Sequence, residues 1–464
     1  MFKAFAIPGC VAFFLLAQGL FFSNRILSLE APIAVEETIQ DTEGGVVQGL
    51  KLGQNPYGLY ELVTPRLTLV SDIPFDEELK SWPSLIEQSL EQWQHYFGVD
   101  AKRMAGWRVT AVLIGDRDRL SKLGMLDGLP GFDEGYQFGN KIYLREQPTV
   151  YYRRHLFLHE ATHWIMWQLY GGGGSPWFME GMAEMNGTHA LQNGVLKLGV
   201  IPSAREKVSG WGRLRLIDET LNRSVAPSMS EILAFGNDRE DHEIRYSWSW
   251  AATLFFTNHP KYGPILKQLY NNKLDYSDSL SLAFKKQLAA DWKDVQIDWN
   301  GFVSDLDFGY DLERSRVVRQ MVPASKKNGN GDPASSEIAT DRGWQSTGVM
   351  VGAGKPVRIV CSGDYVLRKS ADRDQENWVV GPNGITYRFY RGNPLGCVIA
   401  SVVSVGDEEQ TKRWETIRVG GDAILASEKA GELFLKVNEP SNGLWDNLGN
   451  VSVEISDVKP NTVQ

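Results

Sequence analysis

Four consecutive glycines, at positions 171–174, directly follow a largely apolar stretch, residues 150–170. The stretch predicts one long helix, and the glycines must end it because glycine loses more backbone entropy in a helix than any other residue. Ser175 and Pro176 then supply an N-cap and a first-turn proline for a second helix. The chain is therefore predicted to fold two helices back against each other across a glycine turn.

The long helix carries an HExxH motif, HEATH. His159 and His163 lie one turn apart on one face, where two imidazoles can bind the same metal ion. Glu160 is rotated by about 100° from His159, so it can act as a general base toward a water molecule beside the metal. A zinc site needs a third protein ligand, and Glu180 on the second helix is the candidate. Glu184, one turn further on, would accept a hydrogen bond from a ligand histidine.

These two motifs, HEATH and WFMEGMAE, resemble those of the gluzincin zinc metallopeptidases, especially the extracellular peptidase MA-like branch. The resemblance covers about residues 66–310 and implies Zn²⁺ held by the two motif histidines and Glu180, with Glu160 as the base. It also implies that Tyr246, ahead of an apolar helix, stabilises the oxyanion. His155 extends the histidine row, but one straight helix cannot wrap three histidines around one zinc, so a supporting or structural role is expected.

The N-terminus predicts export from the cytoplasm. Residues 4–22 carry no charge and follow Lys3, which is typical of either a cleaved signal peptide or a retained membrane anchor. The net charge of −9 gives no general attraction to nucleic acid. The three cysteines are too few for a disulfide scaffold, although Cys361 and Cys397 could pair outside the cytoplasm. The protein is expected to be secreted, periplasmic or anchored by residues 4–22.

Composition and pattern divide the chain into two bodies. The first is expected to be α+β and of the zincin metallopeptidase type, and the second an all-β sandwich. The expected divisions are a signal peptide or anchor at 1–30, a lead-in at 31–65, the peptidase-like domain at 66–324, a polar linker at 325–342 and the β-sandwich at 343–464. Within the first body, strands are expected at 66–72, 107–115 and 141–145, and helices at 82–97, 150–170, 244–258, 262–271 and 278–305.

The second body resembles the calcium-dependent galactophilic lectins of bacteria over about residues 344–457, most specifically in the stretch NEPSNGLWDNLGN. The resemblance implies Ca²⁺ bound by Glu439, Asp446 and Asn447, and a glycan as partner. Acid-rich, oxygen-only ligands suit calcium. Gly443 stands where that family places a hydroxyl ligand. The alternative is a β-sandwich with polar turn residues and no calcium.

The sequence therefore predicts an extracytoplasmic zinc peptidase that hydrolyses bonds in a peptide or protein substrate. The alternative is a non-catalytic surface adhesion or carbohydrate-binding protein that keeps a peptidase-like scaffold. The intact motifs favour the enzyme. A peptidase for the cell's own envelope proteins differs from the first hypothesis only in its substrate. Serine hydrolases and nucleotide-binding enzymes are not supported, since the sequence has no G-x-S-x-G, P-loop or dinucleotide fingerprint.

Overall fold

The computed structural model of the chain describes residues 50–236, 241–271, 274–319, 333–370, 376–404 and 410–458. Residues 4–22, where a signal peptide or anchor is predicted, lie outside these ranges. In the described part of the chain, no helix is both long and apolar enough to cross a membrane. Helices and strands are mixed as far as Leu198, the elements from there to Asp305 are helical, and β-strands predominate from Ala334 onward.

The first half of the chain contains eight strands and twelve helices in its described residues. They are β1 (Lys51–Gln54), β2 (Tyr60–Val63), β3 (Leu67–Ser71), α1 (Glu77–Lys80), α2 (Trp82–Phe97), α3 (Ala101–Met104), β4 (Val109–Ile114), α4 (Arg117–Lys122), β5 (Gly135–Phe138), β6 (Lys141–Arg145), α5 (Val150–Tyr170), α6 (Pro176–Gly187), β7 (His189–Gln192), β8 (Val195–Leu198), α7 (Arg213–Asn222), α8 (Met229–Ile232), α9 (His242–Asn258), α10 (Tyr262–Tyr270), α11 (Ser279–Leu288) and α12 (Trp292–Asp305).

Six of these strands form one mixed sheet in the order β1-β2-β3-β4-β6-β5. Strands β3, β4 and β6 run parallel, and β5 returns antiparallel along β6 at the sheet edge. In β4, Ala111 and Leu113 face the main core, whereas Val112 and Ile114 face a smaller core on the opposite side. Because side chains alternate along a strand, apolar residues at successive positions cover both faces of the sheet. The long helix α5 packs on this sheet beside β5 and β6.

Helix α5 spans the predicted residues, and α6 begins at the predicted position. Helix α5 stops at Gly171, which has φ of 79°, a left-handed conformation that favours glycine. Ser175 caps the start of α6, and its hydroxyl donates to the Ser277 carbonyl oxygen. Helix α6 packs closely against α9, since a Cβ at Gly181 would lie only 2.0 Å from Thr253 Oγ1. The glycine turn and this close approach fix α6 beside α5.

Two expectations about the first half differ from the structure. Strands β1 and β2 fall within residues 31–65, which the sequence pattern leaves as a lead-in, and they extend the six-stranded sheet. The helix expected at 278–305 is two helices, α11 and α12, separated by a 3₁₀ turn at Ala289–Asp291. The buried residues Leu288 and Val295 are seven positions apart, two helical turns, so the apolar spacing hides the break.

The C-terminal region is rich in β-structure. Its strands are β9 (Ala334–Ala339), β10 (Gln345–Val351), β11 (Val357–Ser362), β12 (Tyr365–Arg368), β13 (Trp378–Val380), β14 (Ile385–Tyr390), β15 (Asn393–Leu395), β16 (Val398–Val403), β17 (Ile417–Arg418), β18 (Asp422–Leu425), β19 (Gly431–Val437) and β20 (Asn450–Asp457). Two four-stranded sheets, β10-β19-β16-β17 and β18-β11-β20-β9, enclose a common apolar core. Strand β9 lies inside the stretch expected to be a linker and pairs with β20, so the sheets begin at Ala334.

Cys361 and Cys397 are both buried and free, so the disulfide that the sequence left open is not formed in this structure. Cys361 packs in the core between the two C-terminal sheets. Cys397 packs in a separate cluster with Trp344, Trp414 and Ile297 of helix α12. The two thiols therefore belong to different apolar environments.

Helix α12 joins the first half to the C-terminal sheets. Its last residue, Asp305, is buried and accepts a hydrogen bond from Lys436 of β19, with 2.6 Å between Oδ2 and Nζ. Trp299 on the same helix donates its indole N–H to Thr411 Oγ1 at 2.9 Å. Together with the cluster around Cys397, these contacts hold the two halves against each other.

Candidate active site

Helices α5 and α6 bring together the three atoms that are predicted to bind a metal, which form the metal-ligand triangle. The Nε2 atoms of His159 and His163 are 3.2 Å apart. Glu180 Oε2 lies 3.3 Å from the first and 3.5 Å from the second. In a tetrahedral zinc site with bonds of 2.0–2.1 Å, ligand atoms lie about 3.4 Å apart. The three residues therefore fit one face of a zinc tetrahedron and leave the fourth position open.

The charges around this triangle also favour a cation. Burial disfavours charge on Glu180, but His163 and His159 outweigh it and lower the pKa of the carboxyl to about 2. Burial likewise opposes charge on His159, but Glu180 and Glu184 outweigh it and raise the pKa of the imidazole to about 10. The carboxylates thus create an environment in which positive charge between them is stabilised.

Glu160 lies beside the triangle and against strand β5. Its side chain is buried, and burial raises the pKa of its carboxyl, opposed by His163 and His159. A Cβ on Gly135 would stand 2.4 Å from Glu160 Oε1 and 2.8 Å from its Cδ. Only glycine at position 135 leaves room for the carboxylate where it stands. Sequence analysis did not identify Gly135, because its role depends on a contact between distant segments.

Behind the triangle, Glu184 forms a buried network. Its Oε1 lies 3.3 Å from His159 Nδ1. The Nε and Nη2 atoms of Arg213 each donate to one of its oxygens at 2.9 Å. His155 Nε2 is 3.4 Å from Glu184 Oε2, which places His155 beside the network and away from the metal-ligand triangle. A proton on His159 Nδ1 facing Glu184 leaves the Nε2 lone pair for a metal.

Arg213 is a residue that sequence analysis missed. It stands at the start of α7 in no recognisable motif, 29 positions from Glu184. Burial opposes the charge on Glu184, but Arg213 outweighs it and holds the pKa of the carboxyl well below its usual value. The arginine thus keeps a fully buried carboxylate ionised next to His159.

Tyr246 on α9 reaches the same site. Its ring centroid lies 6.0 Å from that of His159, and the Arg213 guanidinium lies 5.6 Å from the centroid of the tyrosine ring. The charge of Glu180 and then burial raise the pKa of Tyr246, so its hydroxyl stays protonated and can donate a hydrogen bond.

Two open cavities flank Glu160. One cavity, of about 390 Å³, is lined in part by the charged side chains Glu134 and Arg245. The other, of about 580 Å³, is bordered by aromatic side chains, among them Phe138, Trp167 and Tyr276. Glu160, Glu180 and Tyr246 line both cavities, so the candidate site lies in a cleft.

The residues expected to bind calcium lie elsewhere, after β19. Glu439, Asp446 and Asn447 are all buried. Asn447 Nδ2 donates to Glu439 Oε2 at 2.7 Å, whereas Asn447 Oδ1 has no hydrogen-bond partner among the described residues. A Cβ at Gly443 would lie 2.6 Å from Glu439 Oε1, so the glutamate fills the space that a hydroxyl-bearing side chain would need. Burial raises the pKa of Glu439 to about 7.

Comparisons with known proteins give little beyond this geometry. No protein-family model matches the chain, and no curated protein matches it. Among solved structures, the N-terminal domain of EclA, a PllA-like lectin, is 19% identical over 27% of this chain and 95% of its own, with a TM-score of 0.21. PliG of Aeromonas hydrophila, a periplasmic inhibitor of g-type lysozyme, is 11% identical over 31% of this chain and 96% of its own, with a TM-score of 0.17. IMPa of Pseudomonas aeruginosa, solved with an O-glycopeptide, is 10% identical over 57% of this chain and 26% of its own, with a TM-score of 0.15. Likenesses of this size carry no functional argument.

Proposed function

We propose that this protein is a zinc-dependent peptidase of the gluzincin type, with a zincin-type catalytic domain, that acts outside the cytoplasm on a peptide or protein substrate. The observation that carries the proposal is the triangle of His159 Nε2, His163 Nε2 and Glu180 Oε2, with the buried carboxylate of Glu160 beside it. The open cleft on both sides of Glu160 provides room for an extended chain.

The proposed reaction is hydrolysis of an amide bond. Zinc held by the triangle would polarise the scissile carbonyl and lower the pKa of water. Glu160 removes a proton from the attacking water as the new C–O bond forms, and then delivers it to the nitrogen as the C–N bond breaks. A carboxyl with a raised pKa suits both steps, because it accepts and releases the proton readily. Tyr246 donates a hydrogen bond to the carbonyl oxygen as negative charge develops there.

Other residues position the reacting groups. Glu184 and Arg213 orient the imidazole of His159. Strand β5 lies at the sheet edge and lines the cleft, so its backbone can pair with an extended substrate.

The test compares Glu160→Gln with the unchanged protein on a peptide library, with zinc measured by elemental analysis. We expect about one zinc per chain in both proteins, and a fall in kcat of at least about a thousandfold in the variant. Glu91→Gln, on the exposed surface of α2, is the control and should cleave normally. His163→Ala should lose the zinc. Cleavage that survives Glu160→Gln, or a folded chain that takes up no zinc, would refute the proposal.

Glycan binding by the C-terminal sheets is a second candidate. Trp445 is 64% exposed and directly precedes the buried Asp446 and Asn447, so a flat aromatic surface lies beside the residues expected to hold Ca²⁺. The unpartnered Asn447 Oδ1 fits a cation ligand in its chemistry. Calorimetric titration of the protein with CaCl₂, and then with galactose, tests both steps. Glu439→Gln should remove the calcium heat, and Trp445→Ala only the sugar heat.

The adhesion hypothesis is separated from the peptidase by the same proteins. If the chain is a non-catalytic binding protein, Glu160→Gln changes nothing and no peptide in the library is cleaved. Glycan binding alongside cleavage would instead place the peptidase on a glycosylated surface.

A further inference from the structure

A separate cavity of about 320 Å³ lies where the first half of the chain meets the C-terminal sheets. One wall is formed by α7 and the segment before it, including Arg205, Trp211 and Arg215. The other wall includes Arg391, between β14 and β15, and Arg413, before β17. None of its lining residues lines the two cavities beside Glu160. The cavity is therefore distinct from the candidate active site.

Four arginines and two aspartates line this cavity, so its walls carry an excess of positive charge. Arg413 is paired with Asp218 at 2.6 Å, and Arg215 with Glu219 at 2.7 Å. Arg205 is exposed and has no ion pair or side-chain hydrogen bond to any described residue.

Arg391 shares its acidic partner, Asp305, with a second cation, Lys436. Its Nη1 donates to the Ser304 carbonyl oxygen and lies 3.4 Å from Asp305 Oδ1. Asp305 is already neutralised by Lys436, which binds its other oxygen. Arg391 and Arg205 therefore present positive charge from opposite walls.

The cavity walls also contain hydrogen-bond donors that lack acceptors. Trp211 is buried, and its Nε1 has no partner among the described residues; the same is true of Arg413 Nε. Helix α7 begins beside the cavity at Gly212, which provides no side-chain cap for the N–H groups of the first turn. The Trp211 and Arg413 atoms are themselves shielded from the open cavity. The free N–H groups at the start of α7 favour a ligand with hydrogen-bond acceptors.

The backbone conformation at Arg391 indicates that this arginine is not present for the sake of the turn. Arg391 has φ of 47° and Gly392 has φ of 80°, which is the left-handed pair of a tight hairpin turn. Asn, Asp and Gly are the residues favoured at the first of these positions, because other side chains are strained there. The arginine side chain does not stabilise this left-handed conformation. Its guanidinium is held toward α12 by the hydrogen bond that it donates to the Ser304 carbonyl oxygen. Such strain is typical of functional positions.

We propose that this cavity binds a carboxylate carried on a ring or an apolar body. Guanidinium groups match the paired oxygens of a carboxylate. Trp211, Leu214 and Phe308 supply apolar wall for the rest of the ligand. The volume suits a molecule the size of one sugar or one amino acid. An acidic sugar and the free end of a peptide both carry this chemistry.

The test is calorimetric binding to the full chain, with matched acids and neutral counterparts. The probes are glucuronate against glucose, and N-acetylphenylalanine against its amide. We expect at least one acid to bind and neither neutral compound to do so. Binding of glucuronate alone identifies an acidic sugar, and binding of N-acetylphenylalanine alone identifies a peptide carboxylate.

Substitutions locate the binding. Arg205→Ala and Arg391→Ala should each raise the Kd of the bound acid about tenfold. The control, Arg358→Ala, removes an exposed arginine on β11 and should leave the Kd unchanged. Arg205→Ala removes no side-chain hydrogen bond or ion pair between described residues, so it remains a valid test if Arg391→Ala fails to fold. The proposal is overturned if no acid binds at about 10 mM, or if both variants bind as the unchanged protein does. Peptide cleavage is not measured, so this result is independent of the proposed peptidase activity.

Discussion

The contact between Gly135 and Glu160 gives a test of the site that needs only one methyl group. In Gly135→Ala, the added Cβ would lie 2.4 Å from Glu160 Oε1, whereas an ordinary contact is 3.4 Å or more. The carboxylate must therefore retreat by about 1 Å from its present position. A displacement of this size in a catalytic group costs about a hundredfold in rate, or about 2.7 kcal/mol of transition-state stabilisation. The three atoms nearest the added methyl group all belong to Glu160.

The assay measures kcat, KM and zinc content of Gly135→Ala on the best substrate from the peptide library. We expect kcat to fall about a hundredfold with zinc content unchanged. Gly106→Ala is the control, because a Cβ there meets no atom within 4 Å. A folded Gly135→Ala protein with normal kcat would show that Glu160 does not act from the position against β5, and the mechanism would be wrong.

Three further results are expected. Arg213→Met leaves Glu184 buried without its cation. A chelator competition should therefore show zinc affinity about 10–100-fold weaker, and thermal unfolding should show lower stability. Unchanged zinc affinity and unchanged stability would contradict the positioning role of Arg213. Tyr246→Phe should lower kcat about a hundredfold and leave KM nearly unchanged in steady-state assays, since the hydroxyl is proposed to act on the developing oxyanion. Burial raises the pKa of Glu439 to about 7 from a usual 4.5, so the stability associated with the protonated carboxyl is complete below pH 4.5 and is lost as the pH rises through 7. Thermal melts should show the free energy of unfolding falling by roughly 3 kcal/mol over this pH window. In Glu439→Gln the free energy of unfolding should change less with pH. Adding Ca²⁺ at high pH should restore the stability of the unchanged protein but not that of the variant.

The helices that carry the chemistry could be predicted from the sequence, because their signals are local. The apolar stretch before Gly171 sets both ends of α5 within a few residues, and the Ser-Pro pair after the glycine turn sets the start of α6. The helical period then places His159 and His163 on one face. Glu180 could be proposed because it lies on the next helix, which the glycine turn can only direct back toward the first.

The remaining parts of the site depend on contacts between distant segments. Arg213 reaches Glu184 from a different helix, and Gly135 meets Glu160 from a sheet edge. Neither has a spacing or composition signal. Strands β1 and β2 were also missed, because their eight residues carry little apolar pattern. Only two of them, Leu52 and Leu62, are leucines or valines that pack against the main core. Strand β2 is defined by its pairing with β3, and the edge strand β1 by its pairing with β2, more than by the pattern of their own residues.

The bond between Asp305 and Lys436 has a consequence for how the protein is made. The two residues are 131 positions apart, and both are buried. While the chain is being synthesised from its N-terminus, α12 emerges long before β19 is available. Until then the carboxylate of Asp305 has no lysine, and the apolar surface around Ile297 has no cover from Trp344 and Trp414. The half of the chain that carries the candidate site is thus fully covered only when β19 arrives, and we expect a chain cut short before β19 to keep an exposed patch that proteases recognise.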